Sequence, residues 1–124
     1  MIITPSSIPN QLVSNDGTIL QVYVVDIGVW DMLNEAALAI QVPMELHTIR
    51  VITPIIVRDD QLVYYFDPQG MASFVAAAVL GLAMYGQATA KVLTLSRSAS
   101  GQFQNANFQS VLVNRGRVTI LYVP

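Results

Sequence analysis

The sequence predicts one small α+β domain, and three observations support this prediction. The chain has 124 residues, the size of a domain that can bury a core without disulfides or metals. Hydrophobic residues make up 53% of it and charged residues 11%, a composition that excludes a disordered chain. Patterns typical of strands and helices alternate in the order β-α-β-β-α-β, followed by a β-hairpin. We therefore expect an extended arm over residues 1–10 and a single domain over residues 11–124.

The first strand and the first helix are predicted on either side of Gly28. The turn sequence Asn15-Asp16-Gly17 precedes Thr18–Ile27, a run rich in β-branched and aromatic residues. Val29–Gln41 is predicted to be a short amphipathic helix that ends before Pro43. Its apolar residues recur at helical spacing: Trp30, Leu33, Ala37 and Ile40.

A β-hairpin is predicted next. Leu46–Val57 is β-rich, and Pro54 within it indicates an edge position or a bulge. The polar turn at residues 58–61 leads to the returning strand Leu62–Phe66.

A long apolar helix is predicted over Pro68–Tyr85. Asp67 can cap its first turn, Pro68 suits the first helical position, and Gly86 suits a left-handed end. The strand Ala90–Ser96 and the amide-rich loop Arg97–Asn107 follow.

The last predicted element is a hairpin, with strands Phe108–Val113 and Arg117–Val123 around the turn at residues 114–116. Two architectures suit the whole order. One is a ferredoxin-like split βαβ unit over Thr18–Ser96 with the hairpin appended. The other is an oligonucleotide/oligosaccharide-type (OB-like) barrel with an inserted helix.

The long helix predicts an oligomer interface. It has no charge from Met71 to Ala83, and a helix that is apolar all round is normally buried on every side. Ser73, Ala77 and Gly81 form a ridge of small side chains that lets another backbone approach closely. A second subunit could cover this ridge, or the first helix or the last hairpin could cover it within the monomer.

The amide-rich loop predicts a ligand or partner contact. Amide groups pair with hydroxyls and aromatic rings stack on sugars, although the same residues suit a neutral protein interface or an ordinary loop. The candidate residues are Gln102, Phe103, Gln104, Asn105, Asn107 and Phe108.

Charge and motifs disfavour several other functions. The formal net charge is −2, whereas nucleic-acid binding requires a cationic surface. Arg97, Arg115 and Arg117 are interpreted as solvated charges beside a turn. His47 is interpreted as structural, and Asp59-Asp60 as turn residues. We expect no cofactor, metal site or catalytic residue, because cysteine, phosphate-binding loops and a nucleophile-elbow motif are all missing from the sequence.

No segment is predicted to direct the chain to or across a membrane. The strongly apolar part of the longest uncharged stretch, from Met71 to Tyr85, is shorter than the roughly 20 residues that a bilayer requires. The first residues lack the basic and apolar regions of a signal peptide. We expect cytoplasmic synthesis, with the cytoplasm or a virion as the final location.

The order of elements in the second half resembles that of the B subunits of pentameric bacterial toxins. In residues 48–114 the predicted helix is followed by the strand Lys91-Val92-Leu93-Thr94-Leu95, as a strand follows the helix in those subunits. The resemblance implies an OB-like barrel and an oligomeric receptor-binding module.

These observations favour a non-enzymatic protein that assembles with copies of itself, such as a structural component of a virus or phage particle. The alternative is an oligomeric ligand- or glycan-binding module, and a small enzyme comes third. The expected partner is the chain itself, with a protein or a glycan as the other candidates.

Overall fold

The computed structural model of the chain describes residues 11–13, 19–66, 69–70 and 81–124. These residues fold into two antiparallel sheets, so the predicted α+β class is wrong in both its ferredoxin-like and its OB-like form. Helical structure in the described part is limited to two 3-10 turns, Leu46–Thr48 and Ala106–Phe108. The strands are β1 (Gln11–Val13), β2 (Ile19–Asp26), β3 (Ala37–Gln41), β4 (Ile49–Val57), β5 (Val63–Tyr65), β6 (Gln69–Gly70), β7 (Leu82–Tyr85), β8 (Val92–Arg97) and β9 (Gly116–Tyr122).

The larger sheet, called sheet A, has the strand order β1-β2-β9-β4-β5, and β6 also pairs with β4. Strand β9 lies at its centre. It pairs with β2 from Gln21↔Tyr122 to Asp26↔Arg117 and with β4 as far as Ile56↔Gly116. The predicted hairpin partner of β9, Phe108–Val113, is wrong because these residues form a 3-10 turn and bends.

The smaller sheet, called sheet B, has the order β3-β8-β7. The inward faces of both sheets contribute to one apolar core. Ile52 and Ile120, register partners in sheet A, are fully buried, and Leu95 of β8 and Met84 of β7 are fully buried in the same core. Trp30 is fully buried there too, as its interpretation as a core residue requires.

Four strands predicted from the sequence are confirmed to within two residues at each end. They are the runs at residues 18–27, 62–66, 90–96 and 117–123, which form β2, β5, β8 and β9. The predicted strand at residues 46–57 begins later, at Ile49, because residues 46–48 form a 3-10 turn. Pro54 lies opposite Val118 of β9. On its other side, it lies between residues 51–52 of β4, which pair with β6, and residues 55–57, which pair with β5. Its missing N–H therefore leaves the described strand pairs intact.

The predicted helix at residues 29–41 is wrong. The indole Nε1 of Trp30 donates to the carbonyl of Glu35 at 3.0 Å, which occupies an acceptor that a helix would use within its own backbone. A single turn closes where the N–H of Glu35 bonds to the carbonyl of Asp31. Residues 37–41 then form β3, and its register directs Ile40 into the core. Apolar residues at this spacing thus fit a loop followed by a strand.

The predicted long helix is also wrong over its described residues. Residues 69–70 pair with β4, and residues 82–85 form β7. Gly86 does not cap a helix. A Cβ there would lie 2.3 Å from Cδ1 of Leu46 and 2.6 Å from the carbonyl oxygen of Val92, so glycine permits close packing. Over residues 69–70 and 81–85, the helix that the toxin-like layout requires is therefore not formed.

Gly116 should be the most sensitive glycine of the sheet. Its φ is +146°, and an added Cβ would lie 1.8 Å from the carbonyl oxygen of Ile55. Replacing Gly116 with alanine must strain the backbone and push β9 from β4, so we expect a loss of about 3 kcal/mol or more. Gly28 is the matched control, since its φ is +76° but nothing lies within 4 Å of an added Cβ. Strain alone should cost Gly28→Ala about 1 kcal/mol, and equal losses in urea denaturation would contradict this account.

Candidate interaction surface

A buried arginine organises the end of sheet A at which β9 begins. The side chain of Arg115 is 0% exposed. Its Nε donates to the carbonyl of Trp30 at 3.0 Å, and its Nη1 donates to the carbonyl of Val57 at 2.8 Å. Its Nη2 donates at 2.9 Å to both the carbonyl of Ser110 and Oδ1 of Asp59. Arg115 thereby holds three segments that are distant in the sequence.

Asp59 completes this network. Both of its carboxylate oxygens accept the N–H of Ser110 at 3.2 Å, and its own N–H donates to the carbonyl of Asn107 at 2.8 Å. The neighbouring Asp60 accepts from Arg58 and from the N–H of Leu62. Both acids lie in the turn that the sequence predicts, but only Asp60 bonds within it, because the carboxylate of Asp59 bonds Ser110 and Arg115 instead.

The interpretation of the arginines as solvated charges is correct for Arg117 alone. Arg117 is exposed, whereas Arg97 and Arg115 are buried. The Nε of Arg97 donates to the carbonyl of Met32 at 2.5 Å, and its Nη2 donates to the carbonyl of Leu33 at 3.3 Å. Both buried cations thus bond main-chain carbonyls, which a sequence pattern does not reveal.

The amide-rich loop folds onto its own side chains and onto the core. Phe103 and Phe108 are buried, and their rings meet edge-to-face with centroids 5.2 Å apart. Asn105 donates through Nδ2 to the carbonyl of Gln102 and accepts through Oδ1 from the N–H of Asn107. Gln104 accepts the N–H of Ser100. The rings are thus turned away from any ligand, while Gln102 and Asn107 remain exposed; a ligand role for the loop stays a prediction.

The residues predicted to form an oligomer ridge are only partly described. Gly81 lies just before β7 with a φ of +95°, and a Cβ added to it would lie 3.2 Å from Cδ2 of Phe103. It therefore packs on the chain's own core. Ser73 and Ala77 lie outside the described residues, so their role as interface residues stays a prediction.

A cleft of about 210 Å³ opens on the outward side of sheet A at the end organised by Arg115. It lies across β2, β4, β5 and β9. Its apolar wall consists of Ile55, Val57, Val63 and Tyr65, and its polar wall includes Asp26, Asn114 and Arg117.

Hydrogen bonds hold the polar wall in place. Asn114 donates through Nδ2 to Oδ1 of Asp26 at 3.2 Å. Its Oδ1 accepts from the N–H of Gly28 at 2.8 Å and from the N–H of Gly116 at 3.3 Å. Asn114 therefore caps the turn at Gly28.

Large apolar side chains are exposed around this cleft. Tyr65 is 78% exposed and Leu112 is 92% exposed. Val29, Leu62 and Val111 are exposed on segments that end at the same end of sheet A. The exposure of Leu112 is not predicted from the sequence, because the run Val111–Val113 has the pattern of a buried strand.

The outward face of sheet A is nearly uncharged and consists largely of valine, leucine and threonine. One cross-strand row contains Val24, Thr119 and Thr53, and the next contains Val22, Leu121 and Val51. Val24 is 52% exposed. The charged pair Asp26↔Arg117 lies at the end of this face, where the cleft is.

The outward face of sheet B is uncharged as well. Its rows are Ala37, Ser96 and Ala83, then Ala39, Thr94 and Tyr85, then Gln41 and Val92. The two broad outward faces of the sheets are therefore the parts of the described surface with the fewest charges.

The titratable groups of the described part lie mostly in loops. His47 Nε2 lies 2.6 Å from Oε2 of Glu45 in an exposed pair. Hydrogen bonding by Asn34 lowers the pKa of Asp31. Residues 11–13, 19–66, 69–70 and 81–124 hold no cluster of three potential metal ligands.

No family model, no curated protein and no solved structure matches the chain. Among the described residues, no helix has the length and apolar character needed to cross a bilayer.

Removing the Arg115 side chain should destabilise the fold far more than removing that of Arg117, an exposed residue at the start of β9. Arg115→Met leaves the carboxylate of Asp59 and three carbonyls without their donor, so we expect a loss of about 3–5 kcal/mol. Arg117→Met should change stability by no more than about 0.5 kcal/mol. Urea denaturation of both variants measures the difference, and similar midpoints would refute the role of Arg115.

The carboxyl of Asp60 should titrate at unusually low pH. Its hydrogen bond with Arg58, and next the N–H of Leu62, lower the pKa of Asp60 from 3.8 to about 2. This pair therefore contributes stability above pH 3.8 that is lost as the pH falls through about 2. Replacing Arg58 with glutamine should raise the pKa of Asp60 towards 3.8, as followed by ¹³C NMR. Arg50→Gln should leave it unchanged, and a pKa that ignores the loss of Arg58 would contradict this assignment.

Proposed function

We propose that the chain is a non-enzymatic structural subunit that assembles with copies of itself through the outward face of sheet A. The observation that carries this proposal is the pair of uncharged cross-strand rows centred on Thr119 and Leu121 of β9. A coat or other component of a virus or phage particle is one setting for such a subunit.

The distribution of charge supports this choice of face. Charged side chains lose hydration when an interface forms, and interface cores are depleted in them for that reason. The exposed charges Glu35, Asp60 and Lys91 lie in loops, and Arg50 lies at the irregularity of β4, outside the two rows. The two rows themselves contain no charge. This face can therefore be covered at little electrostatic cost.

The face supplies part of the area that a stable interface needs. Four strands at about 4.8 Å spacing and seven residues at about 3.4 Å rise outline roughly 450 Å², which is a little over half of the roughly 800 Å² that each partner buries in a stable complex. The exposed apolar side chains around the cleft extend the face beyond this outline.

Charge complementarity favours a second copy as the partner. The face carries one acid and one base at its end, Asp26 and Arg117, with no ion pair between them among the described residues. A two-fold axis at this end would bring Arg117 of each copy towards Asp26 of the other, so that two ion pairs form at once beside the hydrogen bond that Asn114 donates to Asp26.

A charge placed on this face should prevent assembly. We expect the purified chain to sediment as a multiple of 13.5 kDa and Val24→Glu to weaken association by about 30-fold or more, because the new carboxylate loses its hydration without gaining a partner. Gln87→Glu is the matched control, since it adds the same charge at an exposed position outside sheet A.

Sedimentation velocity over a range of concentrations measures both variants. A wild-type chain that stays monomeric at the highest soluble concentration would refute the proposed function. Assembly that survives Val24→Glu would refute the choice of face.

A further inference from the structure

We infer that two copies of the chain associate by exchanging Leu112, so that the side chain of each enters the cleft of the other. This inference rests on the proposed self-assembly and specifies how the two copies fit together. The docking group is the side chain of Leu112, and the receiving site is the apolar wall formed by Ile55, Val57, Val63 and Tyr65.

Leu112 is exposed on a firmly held loop. Single exposed leucines are ordinary on protein surfaces, but this one is 92% exposed and follows directly on a buried network. Its N–H donates to Oγ of Ser110 at 3.1 Å. Ser110 in turn donates its N–H to Asp59 and accepts from Arg115 at 2.9 Å. Because the loop is already ordered, docking of Leu112 costs little conformational entropy.

The cleft suits one aliphatic side chain. Its volume of about 210 Å³ is below the roughly 300 Å³ at which sites for drug-sized ligands begin. Ile55, Val57 and Val63 offer aliphatic contacts, and the exposed ring of Tyr65 can close over the entering group.

The positions of Leu112 and the cleft favour a closed pair. Asn114 lines the cleft, and two trans peptide links place the Cα of Leu112 within about 7.6 Å of the Cα of Asn114. A docking group and its receiving site that lie side by side can be exchanged across one two-fold axis. If they lay at opposite ends of the subunit, the same contact would produce an open chain of subunits.

The same axis fits the proposed interface. The cleft forms the end of the outward face of sheet A, and its polar wall contains Asp26 and Arg117. Exchange of Leu112 therefore extends the contact that this face would make.

The first test compares three chains by sedimentation equilibrium: wild type, Leu112→Asp and Leu112→Met. The exposed side chain makes little contribution to the monomer, so Leu112→Asp should fold normally by circular dichroism. We expect its dissociation constant to rise by about 30-fold or more, as for loss of an interface anchor. Leu112→Met keeps an apolar side chain and should associate within about threefold of wild type.

The second test uses the absence of cysteine from the chain. Leu112→Cys and Val63→Cys are made in separate chains, one of them isotopically labelled, and the two are mixed under mild oxidation. A disulfide between the labelled and unlabelled chains, found by mass spectrometry in excess of either homodimer, would support the exchange.

The outcomes separate the two proposals. If wild type assembles while Leu112→Asp assembles equally well and the mixed disulfide does not form, the exchange of Leu112 is refuted and self-assembly stands. If wild type remains a monomer, the proposed function itself is refuted. Loss of assembly in Leu112→Asp together with the mixed disulfide supports both.

Discussion

The structure depends most on the burial of one cation, Arg115. A guanidinium removed from water is tolerated when all of its donors have partners. Here the partners are one carboxylate and the carbonyls of Trp30, Val57 and Ser110. Each of these carbonyls must lie within hydrogen-bond distance of one planar group, so the end of β4 and the loops that carry Trp30 and Ser110 are held in a single arrangement. That arrangement forms the end of the sheet where the cleft lies, and it holds the loop that carries Leu112.

Main-chain bonds close the same end of the sheet around this cation. The N–H of Arg115 donates to the carbonyl of Gly28, and the carbonyl of Arg115 accepts the N–H of Val57. The carbonyl of Gly116 accepts the N–H of Ile27. The ends of β2 and β4 are therefore both bonded to the start of β9. A rigid sheet end of this kind can present apolar side chains to a partner without first having to be ordered.

Local signals predicted the strands, and their failures have local causes. Turn residues and β-branched runs located β2, β5, β8 and β9. The helix prediction at residues 29–41 failed because spacing alone cannot show that the indole of Trp30 takes the carbonyl of Glu35. The candidate surface was harder to predict, since Arg115 bonds to main-chain carbonyls and every residue has one. Low charge content did indicate a neutral surface, but the sheet register was needed to place it on the two broad faces.

The central position of β9 has a consequence for the order in which the fold is made. Strands β2 and β4 lie on either side of β9 and reach each other through it. During synthesis both emerge from the ribosome well before residues 116–122, and they remain without their shared neighbour until those residues follow. Sheet A is therefore completed late, when β9 inserts between β2 and β4. Long-range pairing of this kind folds slowly. A nascent chain in which two apolar strands each lack one neighbour exposes strand edges of the kind that chaperones protect from aggregation.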